Sequence, residues 1–175
     1  MSDGIAVHDG VIPDCGLIVD WLEGREWQQS GVGFEGNVNT EKRDSLTAWV
    51  PLLSFRNPAV IHEMNRAVWT LLDEYARRWD FTFTGVEDVS VQRYDVGQFY
   101  KTHTDAGPGH PRVVSAVAYL NTVADGGRTI FPHVDRVVEP VAGRVAIFPS
   151  NFIYAHEAEA PRSGVKYAAA YWARG

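Results

Sequence analysis

The spacing of apolar residues changes near residue 80, and this change separates a helical first half of the chain from a β-rich second half. Residues 1–30 predict a short strand and then a helix with an apolar face formed by Leu17, Ile18, Trp21 and Leu22. A longer helix follows Asn57, which is suited to cap it, and Pro58, which is suited to the first helical position. Its buried stripe is predicted to contain Ile61, Met64, Val68, Leu71, Leu72, Tyr75 and Trp79.

Two segments separate these predicted helices. Residues 30–45 are polar and contain Gly31, Gly33 and Gly36, a composition that predicts a mobile loop. By composition alone, the charged residues at the end of this segment are ordinary residues of a solvated loop. Residues 46–54 are mostly apolar and predict a strand that ends near Pro51.

From residue 80 onward, short apolar or alternating runs are separated by Gly, Pro, Asn and Asp. We predict strands near residues 88–94, 98–104, 112–121, 127–131, 136–139, 144–148, 153–158 and 165–173. Such short strands without an intervening helix are typical of a β-sandwich or jelly roll, so the chain is predicted to be mainly β within the α+β class. We expect one domain over residues 1–175, in which residues 1–85 support a jelly-roll core formed by residues 86–175.

Composition narrows the classes of function. The chain has 175 residues, enough for one domain with a real core. Its net charge of −6 disfavours a general nucleic-acid-binding surface, which is usually basic. The single cysteine, Cys15, cannot form an internal disulfide and favours a reducing, cytoplasmic compartment. The sequence predicts no signal peptide, and no apolar stretch approaches the roughly 18 residues of a membrane span.

His103 and Asp105 are the first candidates for chemistry. Residues i and i+2 of an extended strand point to one face, so this imidazole and this carboxylate would converge. His156, in a later predicted strand, would complete two histidines and one carboxylate, a set that holds Fe(II) with open coordination positions. His110 and His133 are alternative ligands in predicted turns. Taken singly, each histidine is better explained as a hydrogen-bonded core residue, and only the joint order favours a metal site.

Lys166 is the next candidate, because it begins the last predicted strand. Alternation gives one face of this strand to Lys166, Ala168, Ala170 and Trp172. An inward-pointing lysine between alanines is costly unless an anion meets it, and the small neighbours leave room for one. The pattern predicts a pocket for a dicarboxylate, with a lysine that reaches solvent from the rim as the alternative.

These residues and the motifs between them resemble one enzyme family. The matching motifs are Gln92-Arg93-Tyr94, Gly97-Gln98-Phe99-Tyr100-Lys101-Thr102-His103-Thr104-Asp105, the strand that opens with Arg112, Gly126-Gly127-Arg128-Thr129-Ile130-Phe131-Pro132 and Gly143-Arg144-Val145-Ala146-Ile147-Phe148, followed by His156 and Lys166. Residues 92–175 resemble the catalytic core of the Fe(II)/2-oxoglutarate-dependent dioxygenases, most closely the prolyl 4-hydroxylase branch. The resemblance implies a double-stranded β-helix with N-terminal helices on one sheet. Arg128 stands where the family often has an acidic residue.

The resemblance implies a role for each matching residue. His103, Asp105 and His156 would bind Fe(II), and Lys166 would pair with the distal carboxylate of 2-oxoglutarate. The same pocket would be completed by Tyr94, Tyr119, Thr129 and Trp172. Contacts with a peptide are implied for Arg43, Ser45, Glu87, Tyr100 and Arg112. Strict alternation nevertheless points Tyr100 away from the face of His103, so its role requires a bend in the strand.

The implied reaction consumes O₂ and 2-oxoglutarate, releases succinate and CO₂, and hydroxylates a C–H bond, with peptidyl proline as the expected substrate. Ascorbate is an implied additional cofactor. Asp105 favours hydroxylation, because related halogenases have a small residue at this position. The alternatives are a free amino acid or small metabolite as substrate, and a non-catalytic jelly-roll binding module. Nucleic acid is disfavoured as a substrate by the net charge and by Lys166, where demethylases typically use arginine.

Overall fold

The computed structural model describes residues 4–33 and 36–175. Its α-helices are α1 (Cys15–Glu23) and α2 (Ala59–Arg78), and a 3₁₀ turn spans Phe152–Tyr154. The strands are β1 (Ala6–His8), β2 (Gln28–Gln29), β3 (Gly31–Val32), β4 (Asn37–Val38), β5 (Arg43–Asp44), β6 (Leu46–Val50), β7 (Gly85–Val86), β8 (Val89–Tyr94), β9 (Phe99–His103), β10 (Arg112–Tyr119), β11 (Thr129–Phe131), β12 (Arg136–Val138), β13 (Val145–Pro149), β14 (His156–Ala158) and β15 (Lys166–Arg174).

Two antiparallel sheets form the body of the molecule. The larger has the strand order β1-β13-β10-β15-β8-β6-β2, with β7 paired to the end of β15. The smaller has the order β12-β11-β14-β9-β5, and β3 and β4 form a separate hairpin. Apart from the β11–β12 hairpin, most neighbouring strands in the two sheets are not consecutive in sequence, as in a jelly roll, so the predicted mainly β fold class is confirmed.

Strand β15 shows how the larger sheet obtains two different faces. Its outer face carries Tyr167, Ala169, Tyr171 and Ala173, which belong to the main apolar core. Its inner face carries Lys166, Ala168, Ala170 and Trp172, which line a cavity. The predicted alternation is therefore confirmed along the whole strand, because every residue of an extended segment changes face.

The helices cover the outer face of the larger sheet, as predicted. The core on this side contains α1 residues Ile18 and Leu22 and α2 residues Ile61, Met64, Val68, Leu72 and Tyr75. Within residues 4–33 and 36–175, no helix combines the length and the apolar composition that crossing a bilayer requires.

Some details of the helix prediction are wrong. Leu17 is 60% exposed and Trp79 is 44% exposed, because the contact with the sheet takes a narrower stripe and α2 ends at Arg78. Pro58 occupies the cap position and Ala59 the first turn. The Asn57 amide donates to the Pro51 carbonyl at 2.7 Å, so it fastens the preceding loop instead of capping α2.

Residues 30–45 contain more regular structure than the predicted loop. The β3–β4 hairpin lies in this segment, and β5 joins the smaller sheet with Arg43 opposite Tyr100 in β9. Phe34 and Glu35, which belong to the same predicted loop, lie outside the described residues.

The predicted strands after residue 80 are confirmed within two or three residues at each end. The strand predicted at 153–158 is shorter, because the 3₁₀ turn precedes β14. The two-residue strands β2 and β7 carry too few residues for an alternating pattern, and the sequence did not reveal them. The single-domain assignment over residues 1–175 stays a prediction.

Candidate active site

A cavity of about 370 Å³ lies between the two sheets, with walls from β8, β10 and β15 on one side and β9, β11 and β14 on the other. The sequence-predicted site residues that line it are Arg43, Tyr94, Tyr100, His103, Asp105, Arg112, Thr129, His156, Lys166 and Trp172. Ser45, Glu87 and Tyr119 do not line it, and each instead contacts a residue that does.

Three of the lining residues converge on one point. His103 ends β9, Asp105 follows it, and His156 begins β14. His103 and His156 lie directly opposite each other in the β9–β14 pairing. Their Nε2 atoms are each 3.8 Å from an oxygen of Asp105, and the candidate ligand atoms of all three residues lie within 4.8 Å of one another. The predicted convergence of H-x-D with the distant histidine is therefore confirmed as geometry.

Both imidazoles are oriented by backbone carbonyls. His103 Nδ1 lies 2.9 Å from the Lys101 carbonyl, and His156 Nδ1 lies 3.1 Å from the Tyr154 carbonyl. A carbonyl accepts a hydrogen bond only from a protonated nitrogen, so this geometry assigns the proton of each neutral ring to Nδ1. Each Nε2 then presents a lone pair toward Asp105, which is the arrangement that metal-binding histidines require.

Burial sets the charges at this cluster. Burial, followed by the nearby His156, lowers the pKa of His103 to about 3, so its ring is neutral at physiological pH. Burial alone would raise the pKa of Asp105, but the neighbouring imidazoles and a hydrogen bond from Ser115 outweigh it, and the net pKa lies below its usual value. The cluster therefore offers a neutral imidazole at His103 and a carboxylate at Asp105.

Lys166 is buried at the inner face of β15, where it is 2% exposed. Its ammonium lies 5.2 Å from the ring centre of Tyr94 and 5.6 Å from that of Tyr119. Among the described residues, no hydrogen-bond acceptor or carboxylate pairs with it. Burial consequently lowers the pKa of Lys166 to about 7, and a weak attraction from Glu159 does not offset this.

Hydroxyl groups surround the same end of the cavity. The Tyr119 hydroxyl donates to Thr129 Oγ1 at 2.7 Å, which leaves the proton of the Thr129 hydroxyl available for another acceptor. The Tyr94 hydroxyl donates to Gln92 Oε1 at 3.2 Å. Tyr119 therefore lies behind Thr129 and orients it, and the structure does not place the Tyr119 side chain in the cavity wall.

Tyr100 reaches the cavity because strand β9 is irregular. His156 pairs with His103 and Ala158 pairs with Tyr100, so three residues of β9 span the distance that two residues of β14 span. This bulge puts Tyr100 on the side of His103, where the rings stack with centres 3.5 Å apart and planes 13° apart. The irregularity that the role of Tyr100 requires is therefore present in β9, since a bulge reverses the facing of the residues beyond it.

Arg43 lies at the opposite face of the Tyr100 ring, with its guanidinium carbon 4.5 Å from the ring centre. Its nitrogens donate to Ser45 Oγ, the Gly31 carbonyl and Thr47 Oγ1 at 3.1, 3.0 and 3.4 Å. Ser45 is fully buried, so the structure gives it contact with Arg43 and not an exposed surface for a peptide.

Arg112 occupies the rim of the cavity. Its guanidinium donates to both Glu87 carboxylate oxygens, at 3.0 and 2.6 Å, and lies 3.8 Å over the Trp172 ring. Trp172 in turn faces Trp49, with ring centres 6.4 Å apart. Glu87 thus fixes Arg112, and Arg112 covers the Trp172 ring that sequence reasoning placed in the cosubstrate pocket.

The structure also shows where the alternative metal ligands and Arg128 lie. Of the alternative ligands, His110 lines the cavity outside the ligand cluster, and His133 is exposed. Arg128, the residue that departs from the family pattern, donates to both oxygens of Glu159 at 2.6 and 2.8 Å. This pairing, with a second contact from Arg162, lowers the pKa of Glu159 to about 2.

Sequence reasoning did not identify the residues that hold Asp105 in place. The Ser115 hydroxyl donates to Asp105 Oδ2 at 2.6 Å and lies 2.8 Å from the Ser150 hydroxyl. A polar residue at an inward position of the apolar strand β10 is a usable signal for Ser115. Ser150 directly follows β13, and its sequence context carries no comparable signal.

The comparisons with known proteins agree with this geometry. Residues 89–174 match the model of the 2OG-Fe(II) oxygenase superfamily. The chain is 28% identical over 138 residues to prolyl 4-hydroxylase 2 of Arabidopsis thaliana, an alignment that covers 72% of this chain and 42% of that protein. The chain spans about two fifths of the length of the first curated relatives that it matches.

Solved structures show the same fold. A prolyl hydroxylase from Trichoplax adhaerens, solved in complex with a hypoxia inducible factor oxygen degradation domain peptide, superimposes with a TM-score of 0.84 at 20% identity, covering 99% of this chain and 84% of that one. A Pseudomonas putida prolyl-4-hydroxylase gives a TM-score of 0.79 at 20% identity, covering 99% and 93%. These likenesses show the double-stranded β-helix fold.

Proposed function

Because the chain belongs to the 2OG-Fe(II) oxygenase superfamily and is similar to prolyl 4-hydroxylases, we propose that it is an Fe(II)- and 2-oxoglutarate-dependent dioxygenase that hydroxylates a peptidyl proline. The observation that carries the proposal is the presence in one cavity of the His103–Asp105–His156 cluster and of Lys166, a buried cation that pairs with no carboxylate within residues 4–33 and 36–175. Succinate and CO₂ would be the other products.

The ligand cluster fits Fe(II). Two imidazole nitrogens and one carboxylate on one side of a cavity leave the opposite side open to other ligands, as non-haem Fe(II) oxygenases require. When bound, the iron together with 2-oxoglutarate would activate O₂ for attack on a C–H bond. The protein's part is to keep both Nε2 atoms unprotonated, which the carbonyls of Lys101 and Tyr154 support.

The Lys166 end of the cavity fits a dicarboxylate. A buried ammonium costs free energy until an anion neutralises it, so the distal carboxylate of 2-oxoglutarate is a natural partner. Thr129 would add a hydroxyl donor, since Tyr119 already donates to its oxygen. Ala168 and Ala170 leave the space between Lys166 and the ligand cluster free of large side chains.

Prolyl hydroxylation is proposed because the chain is similar to prolyl 4-hydroxylases and because of the residues at the rim of the cavity. Trp49 is 54% exposed and lines the cavity together with Gln28, Gln29 and Arg112. An exposed aromatic ring beside amide groups suits a peptide segment, because the ring packs against a proline and the amides bind peptide groups. A cytoplasmic location is proposed on the single cysteine alone.

The test is peptide-dependent release of succinate with Fe(II), 2-oxoglutarate and ascorbate present. Proline-containing peptides, free L-proline, other amino acids and methylated oligonucleotides should be compared, and mass spectrometry should locate one added oxygen on the peptide proline. Asp105→Ala is the matched inactive control. Efficient turnover of free L-proline without turnover of any peptide would overturn the proposed substrate, and absence of Fe(II)-dependent 2-oxoglutarate turnover would overturn the proposed activity.

A further inference from the structure

Ser150 and Ser115 form a chain of hydroxyl groups that ends on Asp105. Both serines are buried, at 2% and 1% exposure. Ser115 Oγ lies 2.6 Å from Asp105 Oδ2 and 2.8 Å from Ser150 Oγ. A serine hydroxyl has one proton, and an ionised carboxylate can only accept. Ser115 must therefore donate to Asp105, and Ser150 must donate to Ser115.

The same serine also holds the backbone beside Asp105. The Ser150 carbonyl accepts a hydrogen bond from the Ala106 N–H at 2.9 Å, and the Ser150 N–H donates to the Val113 carbonyl at 3.1 Å. Ser150 thus connects the residue after Asp105 to strand β10, which carries Ser115. The carboxylate is fixed at its side chain through Ser115 and at its backbone through Ala106.

The two oxygens of Asp105 are consequently different. Oδ2 receives a short charge-assisted bond from Ser115, and hydrogen bonds in such a chain strengthen one another. Among the described residues, no hydroxyl or N–H group donates a hydrogen bond to Oδ1. One lone-pair site of Oδ2, which lies 3.8 Å from His156 Nε2, is therefore taken by Ser115, while both lone-pair sites of Oδ1, which lies 3.8 Å from His103 Nε2, stay available.

We propose that Ser150 is a positioning residue that acts through Ser115 to reserve Oδ1 of Asp105 for the metal. A carboxylate that binds through one oxygen leaves more coordination positions open than one that chelates through both. The serine pair would thereby protect the positions that a cosubstrate and O₂ need. This inference rests on the proposed iron site, but it concerns metal binding and can be measured without turnover.

The test uses Ser150→Ala, Ser115→Ala and the double variant, titrated with Co(II) or Mn(II) without oxygen. Loss of a partner that orients a metal ligand typically costs roughly 10- to 100-fold in affinity, and we expect this for Ser115→Ala. Ser150→Ala should cost less, about 3- to 10-fold, because Ser115 keeps its bond to Asp105. The double variant should equal Ser115→Ala, since Ser150 then has nothing to act through. Additive losses in the double variant would overturn the relay.

The Co(II) absorption spectrum gives a second readout that a merely structural role would not change. We expect Ser115→Ala and Ser150→Ala to alter the ligand-field bands, and Ser150→Thr, which keeps a hydroxyl, to retain the wild-type spectrum and affinity. Ser54→Ala is the control, since the Ser54 hydroxyl accepts a hydrogen bond from the Arg56 N–H and the residue lies outside the cavity wall. Wild-type spectrum and affinity in Ser115→Ala would contradict the proposal. If metal binding responds as expected but no peptide is hydroxylated, only the proposed function fails.

Discussion

The cationic side chains of the cavity fall into two groups, one without a partner among the described residues and one with its partners in place. Lys166, at its buried end, has no carboxylate or hydrogen-bond acceptor among the described residues. Arg112 and Arg43, near its mouth, have their guanidinium groups occupied by Glu87, Ser45, Gly31 and Thr47 and lie over aromatic rings. The difference indicates that Lys166 is held for an anion that comes from outside. The arginines mainly hold Trp172, Tyr100 and the β3–β4 hairpin in place.

The largest effect should follow from removing the metal ligand between these two ends. Asp105→Ala should reduce Fe(II) binding and 2-oxoglutarate turnover by well over the roughly 100-fold that loss of an outer partner can cost. Metal titration and succinate release would measure it. Asp73→Ala, at an exposed carboxylate on α2, is the control and should leave both unchanged. Undiminished turnover in Asp105→Ala would refute the ligand assignment.

Lys166→Ala tests whether the unpaired lysine binds the cosubstrate. Loss of a hydrogen bond to a charged partner costs about 1.5–3 kcal/mol, so the KM for 2-oxoglutarate should rise about 10- to 150-fold. Fe(II) affinity should stay nearly unchanged, because no residue of the ligand cluster contacts the ammonium of Lys166. Lys42→Ala, at an exposed lysine, controls for the loss of one positive charge. An unchanged KM would show that the dicarboxylate binds elsewhere.

The ionisation of Lys166 gives a prediction about pH. Its pKa in the ligand-free folded protein is lowered to about 7, so the ammonium loses its proton as the pH rises through that value. The dicarboxylate requires the charged form. Its affinity should therefore fall above pH 7 by up to about tenfold per unit, with uptake of a proton on binding. Calorimetry in buffers of different ionisation enthalpy would measure this uptake, and Lys166→Ala should abolish it.

Replacing Arg112, which is paired with Glu87, should have a smaller effect, and the affected quantity should be the rate of peptide hydroxylation. Arg112→Ala should lower peptide hydroxylation by about 3- to 10-fold, because the rim beside Trp49 loses the guanidinium that covers Trp172, while 2-oxoglutarate decarboxylation without peptide persists. Glu87→Gln should produce the same defect in milder form, since it weakens the pairing that orients Arg112. Comparing oxygenated peptide with succinate released would separate the two reactions. Equal peptide turnover in Arg112→Ala and wild type would remove Arg112 from the substrate site.

The β-rich half of the chain could be predicted closely from sequence. In this half, alternation and turn residues determine the strands. His103 and Asp105 do converge as predicted, although Asp105 lies in the bend after β9 and not in the strand. Alternation also placed Lys166 correctly, because β15 is regular along its length. These are local rules, and they succeed where the backbone is regular.

The features that could not be predicted from sequence depend on contacts between distant segments. The position of Tyr100 depends on a bulge in β9 that is set by pairing with β14. The short strand β5 forms because β9 lies beside it, not because of its own two residues. Ser150 gains its role from Ser115, which is 35 residues away, and Arg128 is matched to Glu159, which is 31 residues away. No periodicity within one segment reveals such partners.

The position of β15 within the larger sheet has a consequence for biosynthesis. This strand follows both β8 and β10 in sequence, yet it lies between them in the sheet. While the chain is being made, the two parts of the sheet have no shared neighbour until residues 166–174 have emerged. The edges of β8 and β10 are then unpaired and prone to association with other chains. A chain that stops before Lys166 should therefore aggregate, and nascent chains should depend on chaperones until β15 is inserted.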